Sequence, residues 1–188
     1  MIYVFLADGF EECEAIAPID MLRRANLDVK TVKVGGTPYL AVCGSHDIKI
    51  MADINERDID LEKLPGLDMI VLPGGGVGVE NLYNSDIVQR IIFSCVANKI
   101  KIGAICAAPS ILARLGYLKN IRATAYPTFR HYLTEGGAIL EEEKKVITDG
   151  IFTTAAAAGV SVEFGLELVK ILKGEDEAKK IAGQILFM

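Results

Sequence analysis

The stretch IYVFLADGFEECEAIAPIDMLRRANLDVKTVKV, Ile2 to Val34, decides the fold. Ile2–Ala7 is an unbroken apolar run closed by Asp8-Gly9, the pattern of a buried strand followed by a turn. From Glu11 to Asn26 the period changes. Ile16, Ile19, Leu22 and Ala25 recur at three-residue steps, and Arg23 and Arg24 lie at the end, which predicts a helix. Leu27–Val34 returns to strand character through Val29, Thr31 and Val32. Strand, helix and strand within ~35 residues form a βαβ unit, and such a unit requires a parallel sheet.

The rest of the chain extends that pattern. Tyr39–Cys43 and Asp47–Met51 are short β candidates around Gly44-Ser45. Asp53–Leu64 is acidic and reads as an exposed loop with a short helix. Asp68–Leu72 is a strong strand broken at once by Pro73-Gly74-Gly75-Gly76. Ser85 caps a helix to Asn98, with Ile87, Ile91 and Val96 on its buried side. Lys101–Ile105 is a further strand, and Ala107–Leu115 is expected to be helical directly after it. Arg122–Tyr126 reads as a strand, Thr128–Glu135 as a helix, and Val146–Thr148 and Phe152–Thr154 as strands. Helices over Val160–Lys173 and from Glu175 to about Leu186 complete the chain. The expected architecture is one α/β domain over residues 1–188, a three-layer sandwich with helices on both faces of a mostly parallel sheet.

Composition excludes several function classes. The 188 residues are 51% hydrophobic and 24% charged, which is ordinary for a globular domain and rules out global disorder. A net charge of −5, no Trp and few aromatics argue against nucleic-acid binding. No apolar run is long enough to span a membrane, and the N-terminus lacks the basic start of a signal peptide. Cys13, Cys43, Cys95 and Cys106 show no CxxC spacing, and the two histidines are His46 and His131. Neither a structural zinc site nor a disulfide framework is supported, and a reducing cytoplasm is the expected location.

In a parallel sheet the site lies beyond the carboxyl ends of the strands. Three segments converge there: Asp8–Glu14, Pro73–Gly78 and Ile105–Pro109. Cys106 stands at a strand-to-helix junction flanked by Gly103-Ala104 and Ala107-Ala108, the small neighbours that a sharp nucleophile turn needs. A helix N-terminus there would favour its thiolate, and the turn would strain its backbone. Gly74 and Gly75 can bring backbone amides close to a ligand, and with the Ala107 amide they could form an oxyanion pocket. Glu11 and Glu12 read as surface charges complementing a helix start. Glu14, turned inward, would have its pKa raised by burial and would donate to the sulfur. Cys13, Cys43 and Cys95 carry no activating neighbour, His131 reads as a surface residue, and His46 as a loop residue.

These residues resemble a known family. Ala7-Asp8-Gly9-Phe10-Glu11-Glu12-Cys13-Glu14, Pro18-Ile19-Asp20, Arg23-Arg24, Val71-Leu72-Pro73-Gly74-Gly75, Ala104-Ile105-Cys106-Ala107-Ala108-Pro109 and Glu163-Phe164-Gly165 are similar to the ThiJ/PfpI superfamily. The nearest branch is that of the parkinsonism-associated deglycase and its bacterial homologues. The resemblance implies a flavodoxin-like sandwich, a homodimer, a reactive Cys106, a protonated Glu14, and an anion pocket from the Gly75 and Ala107 amides. It also implies a cofactor-independent glyoxalase or deglycase acting on small 2-oxoaldehydes or glycated adducts, with oxidative-stress sensing and chaperone activity as the alternative. Four positions depart from the family pattern. Tyr126 stands where some members place a histidine. Ala107 stands where protease-like relatives carry one, which argues against a peptidase. Ala155 opens an Ala-Ala-Ala-Ala-Gly run, through Gly159, in place of Gly-Pro-Gly, making a more apolar pocket lip. His46 occupies the segment where some members send an arginine to a partner subunit.

Overall fold

The computed structural model describes residues 1–187, the side chains of Lys63 and Pro65 apart. Its strands are β1 (Ile2–Ala7), β2 (Val29–Val34), β3 (Ala41–Cys43), β4 (Lys49–Met51), β5 (Ile54–Asn55), β6 (Met69–Leu72), β7 (Lys101–Ile105), β8 (Arg122–Ala123), β9 (Ile139–Leu140), β10 (Val146–Asp149) and β11 (Phe152–Ala155). Its α-helices are α1 (Glu12–Arg24), α2 (Gly76–Tyr83), α3 (Asp86–Ala97), α4 (Pro109–Arg114), α5 (Arg130–Glu135), α6 (Ser161–Lys173) and α7 (Glu175–Gln184). A seven-stranded sheet runs β10-β11-β7-β6-β1-β2-β5. Every neighbouring pair is parallel except β10 with β11. Helices cover both faces, so the fold is the flavodoxin-like three-layer sandwich that the βαβ pattern calls for.

Period-2 alternation in the strands divides the core in two. Phe5, Ile70, Leu72 and Ile102 face the layer of Val88, Ile91, Ile92 and Cys95 on α3 and Ile111 and Leu112 on α4. Val4, Leu6, Met69, Val71 and Ile105 face Ala15, Ile19 and Leu22 on α1 and Phe164 and Leu168 on α6. Consecutive residues of β1 therefore feed opposite cores, which is why that strand reads as continuous apolar sequence rather than as an alternation.

Several elements differ from the sequence expectation. Gly76–Tyr83 is a helix that the glycine run conceals, because glycine disfavours helix interiors and masks the pattern of Val79 and Leu82 beneath it. The segment 53–66 adds β5 to the sheet edge and forms two 3-10 turns, Glu56–Asp58 and Leu61–Gly66. The helix after β7 begins at Pro109 rather than at Ala107, because Cys106 takes a left-handed turn first. Ile16 is exposed, whereas Ala15, Pro18, Ile19 and Leu22 form the buried stripe of α1.

Helices α1 and α6 pack at Gly165. A Cβ there would lie 2.8 Å from Met21 Cγ and 3.0 Å from Pro18 Cα. Alanine ordinarily stabilises a helix interior by about 1 kcal/mol over glycine. Overpacking outweighs that gain here, so Gly165→Ala is expected to lower unfolding stability by roughly 1–3 kcal/mol in urea titrations.

Candidate active site

Three adjacent parallel strands, β1, β6 and β7, deliver three loops to one edge of the sheet. Cys106 follows β7 directly and holds φ +63°, a conformation that costs a non-glycine residue on the order of 1 kcal/mol or more. Two backbone bonds hold it there. Its N–H donates to the Ala155 carbonyl at 2.8 Å, and its own carbonyl accepts the Tyr126 amide at 2.9 Å. The side chain remains partly exposed, and the Gly75 and Ala107 amides donate to its sulfur.

Glu14 projects from the first turn of α1 and is 1% exposed. Its Oε2 accepts the Gly74 amide at 3.0 Å, its carboxyl also accepts the Ala158 amide, and it shares a hydrogen bond with Cys106. Its own amide donates to the Glu11 carboxylate at 2.7 Å, so Glu11 is the cap of α1. Burial, reinforced by the charge of Glu11, pushes the Glu14 pKa up to about 7. Burial also raises the Cys106 thiol far above its ordinary value, and an ionised Glu14 raises it further. Both effects oppose a preformed thiolate. The helix that was to favour one has six residues and starts three positions beyond the cysteine.

Gly74 and Gly75 divide the work. The Gly74 amide is engaged by Glu14, so of the two glycines only Gly75 offers an N–H beside the sulfur. A Cβ on Gly74 would overlap the Glu14 carboxyl, and one on Gly75, at φ +91°, would overlap the Gly9 carbonyl oxygen. Tyr126 reaches the site through its backbone, and its side chain is 43% exposed. Ala155 contributes its carbonyl to Cys106 and is fully buried.

Two residues turn out differently from the sequence reading. Glu12 is not a surface charge: it is 6% exposed and accepts from the His46 amide at 2.7 Å, His46 Nδ1 at 2.7 Å and Ser45 Oγ at 3.2 Å. His46 therefore sits on Glu12, two residues from Glu14. The only signal in the sequence was Gly44, whose Cβ would overlap the Glu12 carboxylate. Glu11, Glu12 and His46 bring ligand-type atoms within 4.8 Å of one another, but that group is closed by its own hydrogen bonds. Among the described residues no helix is long and apolar enough to cross a membrane.

The proton on Glu14 is linked to folding. Its folded pKa, about 7, exceeds the ordinary 4.5, so its contribution to stability is complete below pH 4.5 and is lost as pH rises through 7. The stability difference between wild type and Glu14→Gln, followed by urea unfolding at each pH, is expected to shift by roughly 3 kcal/mol across that window. A pH-independent difference would mean that Glu14 is not protonated in the fold.

Known proteins resemble this chain in sequence and in fold. The DJ-1/PfpI family matches over residues 1–171. Protein DJ-1 homolog B of Arabidopsis thaliana is 34% identical over 96% of this chain, which spans 40% of that longer relative. The glutathione-independent glyoxalase DJ-1 of Schizosaccharomyces pombe is 30% identical, with 93% of this chain and 92% of the relative covered. The structure of oxidized Toxoplasma gondii DJ-1 superposes with a TM-score of 0.87 at 30% identity, covering 99% of this chain and 97% of that one. The chain belongs to the DJ-1/PfpI family.

Proposed function

We propose that the protein is a cofactor-independent glyoxalase or deglycase that uses Cys106 as nucleophile on 2-oxoaldehydes or their adducts. The observation that carries this reading is the contact of a partly exposed thiol with a buried carboxyl whose pKa is about 7. At neutral pH Glu14 is present in both protonation states, which is what a proton shuttle requires. The Cys106 sulfur bonds to the aldehyde carbon as the ionised carboxyl takes the thiol proton. The resulting alkoxide, facing the Gly75 and Ala107 amides, then receives that proton, giving a hemithioacetal. Glu14 next moves a proton from the former aldehyde carbon to the neighbouring carbonyl carbon through an enediol. The product is a 2-hydroxy thioester, with no net oxidation. Water hydrolyses it to the 2-hydroxy acid and restores the thiol. The naming of a 30%-identical relative as a glutathione-independent glyoxalase supports the same reaction class.

Lactate formation from methylglyoxal, without glutathione or added metal, tests the proposal. Wild type is expected to turn over, Cys106→Ser to be inactive, and Glu14→Gln to fall by a factor of about 10² or more. Equal consumption by wild type and Glu14→Gln would sink the shuttle.

A second reading, oxidation sensing, draws on the partial exposure of Cys106 and on the oxidized state named for the Toxoplasma gondii structure. Two equivalents of peroxide would convert the thiol to a sulfinate facing the Gly75 and Ala107 amides and Glu14. Intact-mass spectra after mild peroxide should then show a gain of about 32 Da confined to Cys106. A gain spread over all four cysteines would count against it.

The family reading also favours a homodimer. Its natural face is the apolar groove along α1, where exposed Ile16 and Ile48 lie beside Ala17, Gly159 and Val162.

A further inference from the structure

Arg114 has no part in the chemistry above, yet three elements meet on its guanidinium. It closes α4, and its side chain is only 21% exposed. Nη1 donates to Glu80 Oε1 at 2.5 Å and Nη2 to Glu80 Oε2 at 3.4 Å, a two-pronged contact with α2. Its Cζ lies 3.5 Å from the centre of the Tyr83 ring, at the end of α2, and 5.3 Å from that of Tyr132 on α5. A guanidinium is permanently charged, planar and weakly hydrated, so a carboxylate and aromatic faces can grip it at once. An ammonium offers neither the fork nor the plane.

The other ends of the same three elements meet at Cys106. Helix α2 begins directly after Gly75, whose amide donates to the Cys106 sulfur. Helix α4 begins two residues after Ala107, whose amide donates to the same sulfur. Helix α5 begins four residues after Tyr126, whose amide donates to the Cys106 carbonyl at 2.9 Å. Neither α2 nor α4 carries a side-chain cap at that end, so packing farther along the helices bears on the spacing of the amides. We propose that Arg114 is a positioning residue: by tying α2 and α5 to α4, it holds the Gly75 and Ala107 amides at the spacing that the oxyanion needs. The inference deepens the reading of Cys106 as nucleophile and rests on it.

The cluster stands clear of the face proposed for the homodimer. Tyr83, Leu115 and Phe129 pack against the core layer of α3 and α4, whereas the α1 groove lies on the other side of the sheet. A second copy seated on α1 therefore covers neither Arg114 nor Glu80. An exposed ion pair alone contributes little. Here the largely buried arginine adds a second prong and the face of Tyr83. Misplacing a catalytic group by about 1 Å can cost on the order of 10²-fold in rate. Such a loss falls on kcat, because the amides face charge that develops only after substrate is bound.

The test compares wild type with Arg114→Met, which keeps an apolar stem over Tyr83 and removes the fork. In methylglyoxal turnover kcat is expected to fall about tenfold, with KM changed by less than about twofold. Arg114→Lys keeps the charge without the fork and is expected to stay well below wild type. Glu80→Gln, at a half-exposed carboxylate, should show the same split at about threefold, and should add nothing to Arg114→Met. The second readout uses no substrate: amide hydrogen exchange, followed by NMR in the resting protein. The Gly75, Ala107 and Tyr126 amides are expected to exchange about tenfold faster in Arg114→Met, and those of β1 and α6 at the wild-type rate. A kcat equal to that of an active wild type would overturn the proposal. So would unaltered exchange at the three amides, or acceleration spread evenly over the chain, which marks general destabilisation. Should wild type form no lactate, the glyoxalase reading falls, and the exchange contrast alone upholds or overturns the role of Arg114.

Discussion

The burial of one carboxyl group governs this end of the sheet. Glu14 lies almost wholly out of water, and a buried carboxylate is costly unless its oxygens are bonded. The Gly74 and Ala158 amides bond it, but they do not cancel the desolvation, and the group keeps its proton to about pH 7. Three consequences follow from that single burial. No side chain can stand at position 74. The thiol it touches is pushed away from ionisation whenever Glu14 is charged. And the proton that the thiol must lose has a nearby carboxylate as acceptor.

The frame that holds this carboxyl is built mostly of main chain. Glycines 9, 74, 75 and 78 let the β1–α1 and β6–α2 loops touch backbone to backbone, with Gly78 N–H donating to Gly9 O at 3.2 Å and Glu11 N–H to Gly74 O at 3.0 Å. Such contacts leave little room for adjustment, because main-chain atoms cannot change rotamer. A parallel sheet is what makes the frame possible: strands β1, β6 and β7 all end at the same edge, so loops distant in sequence become neighbours.

This division explains what was legible in the sequence. The βαβ unit of Ile2–Val34 could be read because apolar periodicity is local. The sharp turn at Cys106 could be read because small residues flank it, and φ +63° is the geometry such a turn demands. The helix Gly76–Tyr83 was hidden because its glycines serve the loop packing rather than helix propensity. Glu12 was misjudged for a different reason. A carboxylate in a first helical turn is usually a surface charge, and what buries this one is a loop more than thirty residues away. The balance at the thiol was not legible because the helix after it has only six residues, while desolvation, which opposes ionisation, depends on tertiary packing.

A thiol kept protonated also bears on how the two proposed roles relate. Peroxide reacts with thiolate, and the burial of Cys106 keeps the resting thiolate fraction low. An aldehyde reacts at the same sulfur without a standing thiolate, provided that the proton can leave as the carbon–sulfur bond forms. Glu14 supplies that route only while it is ionised, and ionised Glu14 adds to the rise in the thiol pKa that burial causes. On the proposed reading, the same pair of groups favours addition to a bound carbonyl over random oxidation, by coupling proton transfer to bond formation rather than through a more nucleophilic cysteine.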